Sequence, residues 1–259
     1  MIFNRPASKS GPLFEMVGQY LLENEGPDPL ALARMRREAS AVLKTPDVAA
    51  GHILCSGIAA LEWDAAKAAA HVDEAVRQDG SIETLMNALV TFAALGRPDL
   101  SVPYALAAAE RAPARAAVIN EASSVLIALG RVTEAAELQT NCAAIDNMAD
   151  FEIDAAYLAD VMSTVGVSED WVAEELRIAR QVLIDARTRV RRFSYKSEND
   201  PDGGACLAFE FGFLGTLDDE FRLDDELASR LVTTDRWNPA RLSVHMQYME
   251  AEEDAVVAG

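Results

Sequence analysis

Histidine most often carries acid–base or metal chemistry near neutral pH, and this chain contains three histidines. His52 lies three residues before Cys55, so a helix would place both on one face. Two ligands do not complete a zinc site, and the chain has no Cys-x-x-Cys motif to supply more. His245 alternates with apolar residues and is predicted to point away from the apolar face of a strand. The histidines therefore do not predict a metal or catalytic site.

The segment 198–204 has the acidic and glycine spacing of a calcium loop over its first positions. Counted from Glu198, Asp200 and Asp202 occupy positions 3 and 5. Position 12 is Phe209, where a calcium loop needs a bidentate glutamate. We interpret the segment as a solvated turn between two strands, and we expect neither a bound metal nor a cofactor.

The chain lacks the glycine loops, nucleophile elbow and H-E-x-x-H motif that mark common enzyme classes. We therefore expect a protein that is not an enzyme. The alternative is a small enzyme whose site lies between a helical domain and a C-terminal module, with Asp218 or Glu210 acting together with His245. A deep pocket that joins these groups, with strongly shifted pKa values, would favour this alternative.

Composition and charge exclude several classes of partner. The chain has 259 residues, of which 50% are hydrophobic, and 42 acidic against 23 basic residues give a formal net charge of -19. So acidic a surface is not expected to bind nucleic acid or an anionic membrane, since both require clustered Lys and Arg. Three scattered cysteines, no secretory signal pattern and no long apolar run predict a cytoplasmic protein.

The basic residues are concentrated before the C-terminal segment. Residues 177–196 contain seven bases and one acid, whereas residues 197–259 contain four bases and fifteen acids. Four arginines recur near helical spacing and are predicted to form a basic stripe along a long helix: Arg177, Arg180, Arg187 and Arg191. The acidic module beside it is expected to neutralise this stripe. The alternative is a free basic ledge that grips an acidic segment.

A period of 34 residues organises the middle of the chain. The sequence Ala-Leu-Gly-Arg occurs twice, with its glycine at Gly96 and again at Gly130. In the copy at 82–115, an apolar helical face is followed by a glycine that tolerates positive φ, and then by a second helix that Pro98 opens. The second helix carries small residues, which allow close approach of its partner: Ser101, Ala105 and Ala108.

This pattern resembles the tetratricopeptide repeat (TPR), a 34-residue unit of two antiparallel helices. The copies at 82–115 and 116–149 match best, the copy at 48–81 contains a misplaced Gly51, and residues 150–187 fit a fourth pair with a longer second helix. Residues 12–24 and 29–44 fit a further pair or a cap. The resemblance implies a mainly α fold with a right-handed solenoid of helical hairpins over residues 1–189. An Ala-rich helical bundle with an accidental period is the alternative.

After about residue 190 the apolar period changes from 3.6 to 2. Residues 190–196 and 205–214 are predicted to form an antiparallel hairpin, followed by a helix at 217–233 and a third strand within 240–250. The order ββαβ predicts a small α+β module at 190–259 that ends in an acidic tail. A three-stranded sheet needs a helical cover, so we expect the module to dock on the end of the repeats.

The resemblance implies a concave face, lined by the first helix of each pair, that holds a peptide. By position, that lining would be Glu83, Met86, Asn87, Val90, Asn120, Glu121, Ser124, Ile127, Tyr157 and Asp160. The two best copies place no Lys or Arg on this face, so a neutral or basic protein segment is the expected partner. The net charge suggests a more specific version of this function, in which the protein is an acidic immunity or antitoxin-type inhibitor of a basic protein. A self-associating scaffold is a further alternative.

Overall fold

The computed structural model describes residues 11–22, 26–145, 151–199 and 205–250. These residues form eleven helices and three strands, so the protein is mainly helical with one small sheet. The helices are α1 (Gly11–Leu22), α2 (Pro29–Val42), α3 (Val48–Leu61), α4 (Ala65–Gln78), α5 (Ile82–Ala94), α6 (Pro98–Arg111), α7 (Ala116–Ala128), α8 (Val132–Ile145), α9 (Ala155–Val165), α10 (Glu169–Asp185) and α11 (Leu217–Leu231). The strands are β1 (Val190–Asn199), β2 (Ala205–Leu214) and β3 (Leu242–Met249).

The 34-residue period is reproduced in the helix boundaries. Helices α3, α5 and α7 begin at Val48, Ile82 and Ala116, and each packs against the helix that follows it. Gly96 and Gly130, in the turns after α5 and α7, have φ angles of 64° and 76°. These are left-handed values that favour glycine, as the sequence pattern predicts. The predicted hairpins over residues 48–145 are therefore confirmed.

The chain divides into two compact units, Met1–Ala112 and Pro113–Gly259. The first unit contains α1 to α6, and the second contains α7 to α11 with the sheet. The boundary predicted at 189/190 coincides with the change from helix to strand. The second compact unit, however, begins earlier and includes α7 to α10 together with the C-terminal strands.

In the first unit, α3 is the central helix and packs against α1, α2, α4 and α5. Its residues are almost all apolar or small, and most are buried, including Leu54 and Ile58. The neighbouring α4 presents Ala68, Val72 and Ala75 from one face, and all three are fully buried. Small side chains at this spacing let two helices approach closely.

In the second unit, α7 and α8 form a hairpin, and α8 also packs against α9. Helix α9 contacts β2, whereas α10 contacts α11 and β3. The two helices of the predicted fourth pair therefore have different main neighbours. Across the described residues, no helix combines the length and apolar character that a membrane span requires.

The sheet has the order β1-β2-β3. Strands β1 and β2 pair antiparallel, with Phe193 opposite Phe211, and the turn predicted between them, at 200–204, lies outside the described residues. Strands β2 and β3 pair parallel, because α11 carries the chain back to the starting end of the sheet. The alternating apolar residues of β2 are buried as predicted: Leu207, Phe209, Phe211 and Phe213. The predicted ββαβ order is confirmed.

Carboxylates of α11 bond to the backbone of β3, an edge strand of the sheet. The N–H groups of Met246 and Tyr248 donate to Asp224 Oδ1 and Glu220 Oε2, each at 2.8 Å. Unpaired N–H groups on a strand edge can template association with another chain. Part of the acidic character of α11 is thus structural. By covering these N–H groups, the two carboxylates oppose self-association through the edge of β3. The acidic tail after residue 250 lies outside the described residues.

Removing one of these carboxylates is expected to destabilise the protein and expose the strand edge. We expect Asp224→Ala to cost about 1–3 kcal/mol, the range for a lost hydrogen bond to a charged group, and to promote self-association. Asp225→Ala is the control, because it removes the same charge from an exposed neighbouring residue. Urea denaturation and light scattering measure both effects. Equal behaviour of the two variants would contradict the role of Asp224.

Candidate functional site

Four predicted partner-binding residues lie on α5 in the first unit. Glu83 is exposed, Met86 is half-buried, and Asn87 and Val90 are 5% and 8% exposed. A partner could therefore contact only Glu83 and part of Met86 on the surface of this helix. Glu83 and Asn87 nevertheless line a common pocket.

Helices α1, α3 and α5 and the residues before α5 surround a pocket of about 90 Å³. Its lining has three apolar and five polar residues: Phe14, Ala50, Ile53, Asp79, Ser81, Glu83, Thr84 and Asn87. Phe14 and Ile53 are each 1% exposed. The pocket therefore has an apolar wall on one side and acidic and hydroxyl groups on the other.

Asp79 is held in place by hydroxyl groups at the start of α5. Ser81 Oγ and Thr84 Oγ1 donate to its Oδ2 at 2.8 and 3.0 Å. The hydrogen bond from Ser81 lowers the pKa of Asp79, with further lowering by Thr84, while partial burial opposes the shift. Asp79 is thus ionised at neutral pH, and with Glu83 it places two carboxylates on this side of the pocket, where the positive charge of Arg111 also acts on Asp79.

The other predicted residues lie in the second unit, and they differ in exposure. Tyr157 and Asp160 are exposed on α9, whereas Glu121 is half-buried and burial raises its pKa. Asn120 Oδ1 accepts a hydrogen bond from the backbone of Glu152. Ser124 is half-buried.

Ile127 is fully buried and offers no surface to a partner. Its neighbour Leu126 is equally buried, because the apolar stripe of α7 is wider than a single helical face. The inclusion of Ile127 in a partner-binding face is therefore corrected.

The predicted basic stripe does not lie along one helix. Helix α10 ends at Asp185, Arg187 follows it with a φ of 52°, and Arg191 belongs to β1. Arg180 is buried and donates to the carbonyl of Ala128. The helical spacing was misleading because α10 ends at Asp185, before Arg187 and Arg191.

Between α10 and the end of α11, the second unit has a pocket of about 570 Å³. One wall comes from α10 and the other from the segment 230–236: Trp171, Glu174, Glu175, Arg177, Ile178, Gln181, Arg230, Thr233, Thr234, Asp235 and Arg236. Its volume falls within the range of roughly 300–1,000 Å³ that is typical of small-molecule sites.

Glu175 is the most unusual group in this pocket. It is 1% exposed, and its Oε1 accepts a hydrogen bond of 2.7 Å from the indole Nε1 of Trp171. Its other oxygen, Oε2, is buried without a hydrogen-bond partner. Burial raises the pKa of Glu175 to about 7, and the bond from Trp171 opposes this shift. The carboxyl group is therefore partly protonated at neutral pH.

Most charges around Glu175 are already paired. Arg177 bonds to Glu174 at 2.8 and 3.0 Å, and Arg230 pairs with Asp185 and Glu226 at 2.9 and 2.8 Å. Within the described residues, exposed Arg236 has no ion-pair partner. A ligand would thus meet one buried acid, two neutralised arginines, and the exposed charges of Asp235 and Arg236.

The residues of the enzymatic alternative lie elsewhere. Glu210 and His245 are register partners in β2 and β3, and Lys196 Nζ lies 2.6 Å from Glu210 Oε1. His245 is exposed, and Asp218 is exposed in the first turn of α11. None of them lines the pocket of Glu175. The pocket that contains an acid with a raised pKa, Glu175, therefore does not bring together the residues of the enzymatic alternative.

Glu175 was missed by the sequence interpretation, although a signal was present. It lies three residues after Val172 and four before Ala179, both of which are fully buried. An acid at this spacing falls on the buried face of its helix. Trp171, four residues earlier, is on the same side and can reach the carboxyl group.

His52 and His71 form a second cluster of titratable groups, on α3 and α4. Their Nδ1 atoms are 3.1 Å apart. Burial lowers the pKa of both imidazoles, and the positive charge of Arg77 lowers that of His52 further. The same cation disfavours a metal ion here. In the described part of the chain, no group of three or more potential ligands could hold a metal.

Comparison of the chain with protein-family models, with curated proteins and with solved structures gives no match.

Proposed function

We propose that this protein is a non-enzymatic interaction module of TPR-like type, whose α5 face holds a neutral or basic segment of another protein. Hairpins α3–α4 and α5–α6 would stack in the manner of a right-handed solenoid. The observation that carries the proposal is the pocket between α1, α3 and α5, with its apolar wall and its ionised Asp79.

The size of this pocket suits one side chain rather than a whole ligand. About 90 Å³ is far below the roughly 300–1,000 Å³ that is typical of small-molecule sites. A small apolar side chain placed against Phe14 and Ile53 would contribute about 1.5–3 kcal/mol by burial. An extended segment anchored in this way would still need polar contacts on both sides to reach a useful affinity.

Charge favours a partner segment with basic residues beside its apolar anchor. Asp79 and Glu83 stand on one side of the pocket, and the chain as a whole carries -19. Such a field attracts basic proteins and raises their association rate. The same charge supports the narrower proposal of an acidic inhibitor that covers a basic protein.

Selection from a random peptide library, displayed against the intact protein, tests the proposal. We expect enrichment of peptides with an apolar residue next to Lys or Arg, and about 10-fold weaker binding of a selected peptide to Glu83→Lys. A rim charge pair contributes up to about 1 kcal/mol, and reversing the charge adds repulsion. Isothermal titration calorimetry at low salt measures the change.

Glu110→Lys is the matched control, because Glu110 is an exposed acid on α6 that does not line the pocket. Its effect on peptide affinity should be below about 2-fold, from long-range charge alone. Enrichment of acidic peptides, or equal effects of the two substitutions, would count against the proposed binding face.

A further inference from the structure

We infer that the pocket between α10 and α11 binds a primary ammonium group, which the ligand presents to Glu175. The inference rests on the second unit alone and does not depend on the peptide-binding face proposed for α5. It joins three observations: a pocket of ligand size, a buried carboxyl oxygen without a partner, and an aromatic side chain beside it.

The unpartnered oxygen points to a ligand because buried polar atoms are nearly always hydrogen-bonded. Glu175 Oε1 is satisfied by Trp171, which fixes the orientation of the carboxyl group. Oε2 is left without a donor and is shielded from solvent, so the carboxyl group has to turn toward the pocket that Glu175 lines before a ligand can contact it. A donor group on a ligand would complete the hydrogen bonding of Glu175.

The charge of the site selects an ammonium group over other donors. A carboxylate or phosphate group placed against ionised Glu175 would be repelled, and the nearby Arg177 and Arg230 are already engaged by acids. Arg236 would attract an anionic group, but an anion has no donor to complete the hydrogen bonding of Glu175. A neutral amide would satisfy Oε2 but would leave the buried negative charge uncompensated. A primary ammonium group supplies both a donor and the opposite charge, and the indole of Trp171 adds a favourable aromatic surface for a cation.

A divalent metal ion is a poorer occupant of the same pocket. Hard cations need several oxygen ligands, and Glu175 is the only carboxylate buried in this lining. Arg177, Arg230 and Arg236 also lie around the pocket. An alkylammonium ion carries a single positive charge, which one carboxylate is enough to balance.

Three probes of equal chain length test the chemistry by titration calorimetry at pH 8: pentylamine, 5-aminopentanoate and pentanoate. We expect both amines to bind in the micromolar to low millimolar range and pentanoate to show no binding. Emission from Trp171 should change on titration, since its indole bonds to the carboxyl group that the amine meets. Binding of pentanoate with the affinity of pentylamine, or no binding of either amine at 10 mM, would overturn the inference.

Two substitutions make the test specific. Glu175→Gln keeps an acceptor for Trp171 but removes the charge, and it should weaken pentylamine binding at least 20-fold. Asp235→Asn removes the same charge from an exposed residue of the lining and should weaken it less than 3-fold. Circular dichroism confirms that both variants fold. Equal losses in the two variants would refute the role of Glu175.

The ammonium group could belong to a free metabolite or to the lysine side chain of a protein. A lysine tripeptide with blocked ends, titrated beside pentylamine, distinguishes these sources. Tighter binding of the free amine supports a small metabolite, and tighter binding of the tripeptide supports a protein lysine. Either result supports a contact between an ammonium group and Glu175. If neither the amine nor the tripeptide binds, the inference is contradicted.

Discussion

Glu175→Gln is expected to remove a loss of stability of up to about 3 kcal/mol that the carboxyl group causes between pH 4.5 and pH 8. The pKa of this carboxyl is raised from its ordinary 4.5 to about 7 by burial. Each pKa unit corresponds to roughly 1.4 kcal/mol. The glutamine variant keeps an acceptor for the indole of Trp171 and has no charge to bury.

The sign follows from proton uptake in the two states. Between about pH 4.5 and 7, folded Glu175 keeps a proton that the unfolded chain has lost. The contribution of this group to stability is therefore fully present below pH 4.5, decreases as pH rises to about 7, and stays low above it. In Glu175→Gln this decrease should be absent.

Urea denaturation at pH 4.5, 6 and 8, followed by circular dichroism and tryptophan emission, measures the effect. The comparison is with the unsubstituted protein, so that the other titrating groups cancel. These include His52 and His71, whose lowered pKa values make stability fall as pH decreases instead. A difference in unfolding free energy between the two proteins that is the same at all three pH values would contradict the raised pKa.

A buried acid that lowers stability near neutral pH is easier to understand in a binding site than in a core. Leucine or methionine at position 175 would pack without a desolvation cost, as buried charges often can be replaced by apolar groups. An ammonium ligand would offset that cost and should stabilise the complex by mass action. The stability and binding measurements on Glu175→Gln therefore examine one physical property by two routes.

The elements of the fold were accessible from sequence because their signals are local. The 34-residue spacing of Gly96 and Gly130 and the apolar faces between them predict the hairpin positions. Alternation in β2 and β3, with a helical pattern between them, predicts the order ββαβ. Gly51 weakened the repeat match, but a Cβ there would lie 2.9 Å from the backbone nitrogen of Leu43, so local packing requires the glycine.

The candidate sites were less accessible because they depend on contacts between distant segments. The pocket of Glu175 forms only where the segment 230–236, which begins 45 residues after the end of α10, lies against that helix. The burial of Arg180 depends on a carbonyl of α7 that is 52 residues away. Helical spacing places such residues on a face, but it does not say which element covers that face.

Gly130→Ala is expected to destabilise the second unit by about 3 kcal/mol or more. Gly130 has a φ of 76°, where an alanine costs about 1–2 kcal/mol. A new Cβ would also lie 2.6 Å from the backbone nitrogen and 2.7 Å from the Cα of Ala173 in α10. Backbone atoms in a packed helix cannot turn aside, so α10 must shift, and overpacking of this kind adds about 1–3 kcal/mol.

Gly166→Ala separates the two contributions. Gly166 has nearly the same φ, 73°, but its Cβ would meet only Arg241 Nη1, the flexible end of a side chain, at 3.3 Å. It should therefore cost only the 1–2 kcal/mol of backbone strain, measured by urea denaturation beside Gly130→Ala. Because α10 carries both Ala173 and Glu175, Gly130→Ala should in addition weaken pentylamine binding, which Gly166→Ala should not. Equal costs for the two substitutions would mean that α10 does not rest on the turn after α7, and the position of one wall of the pocket would have to be reconsidered.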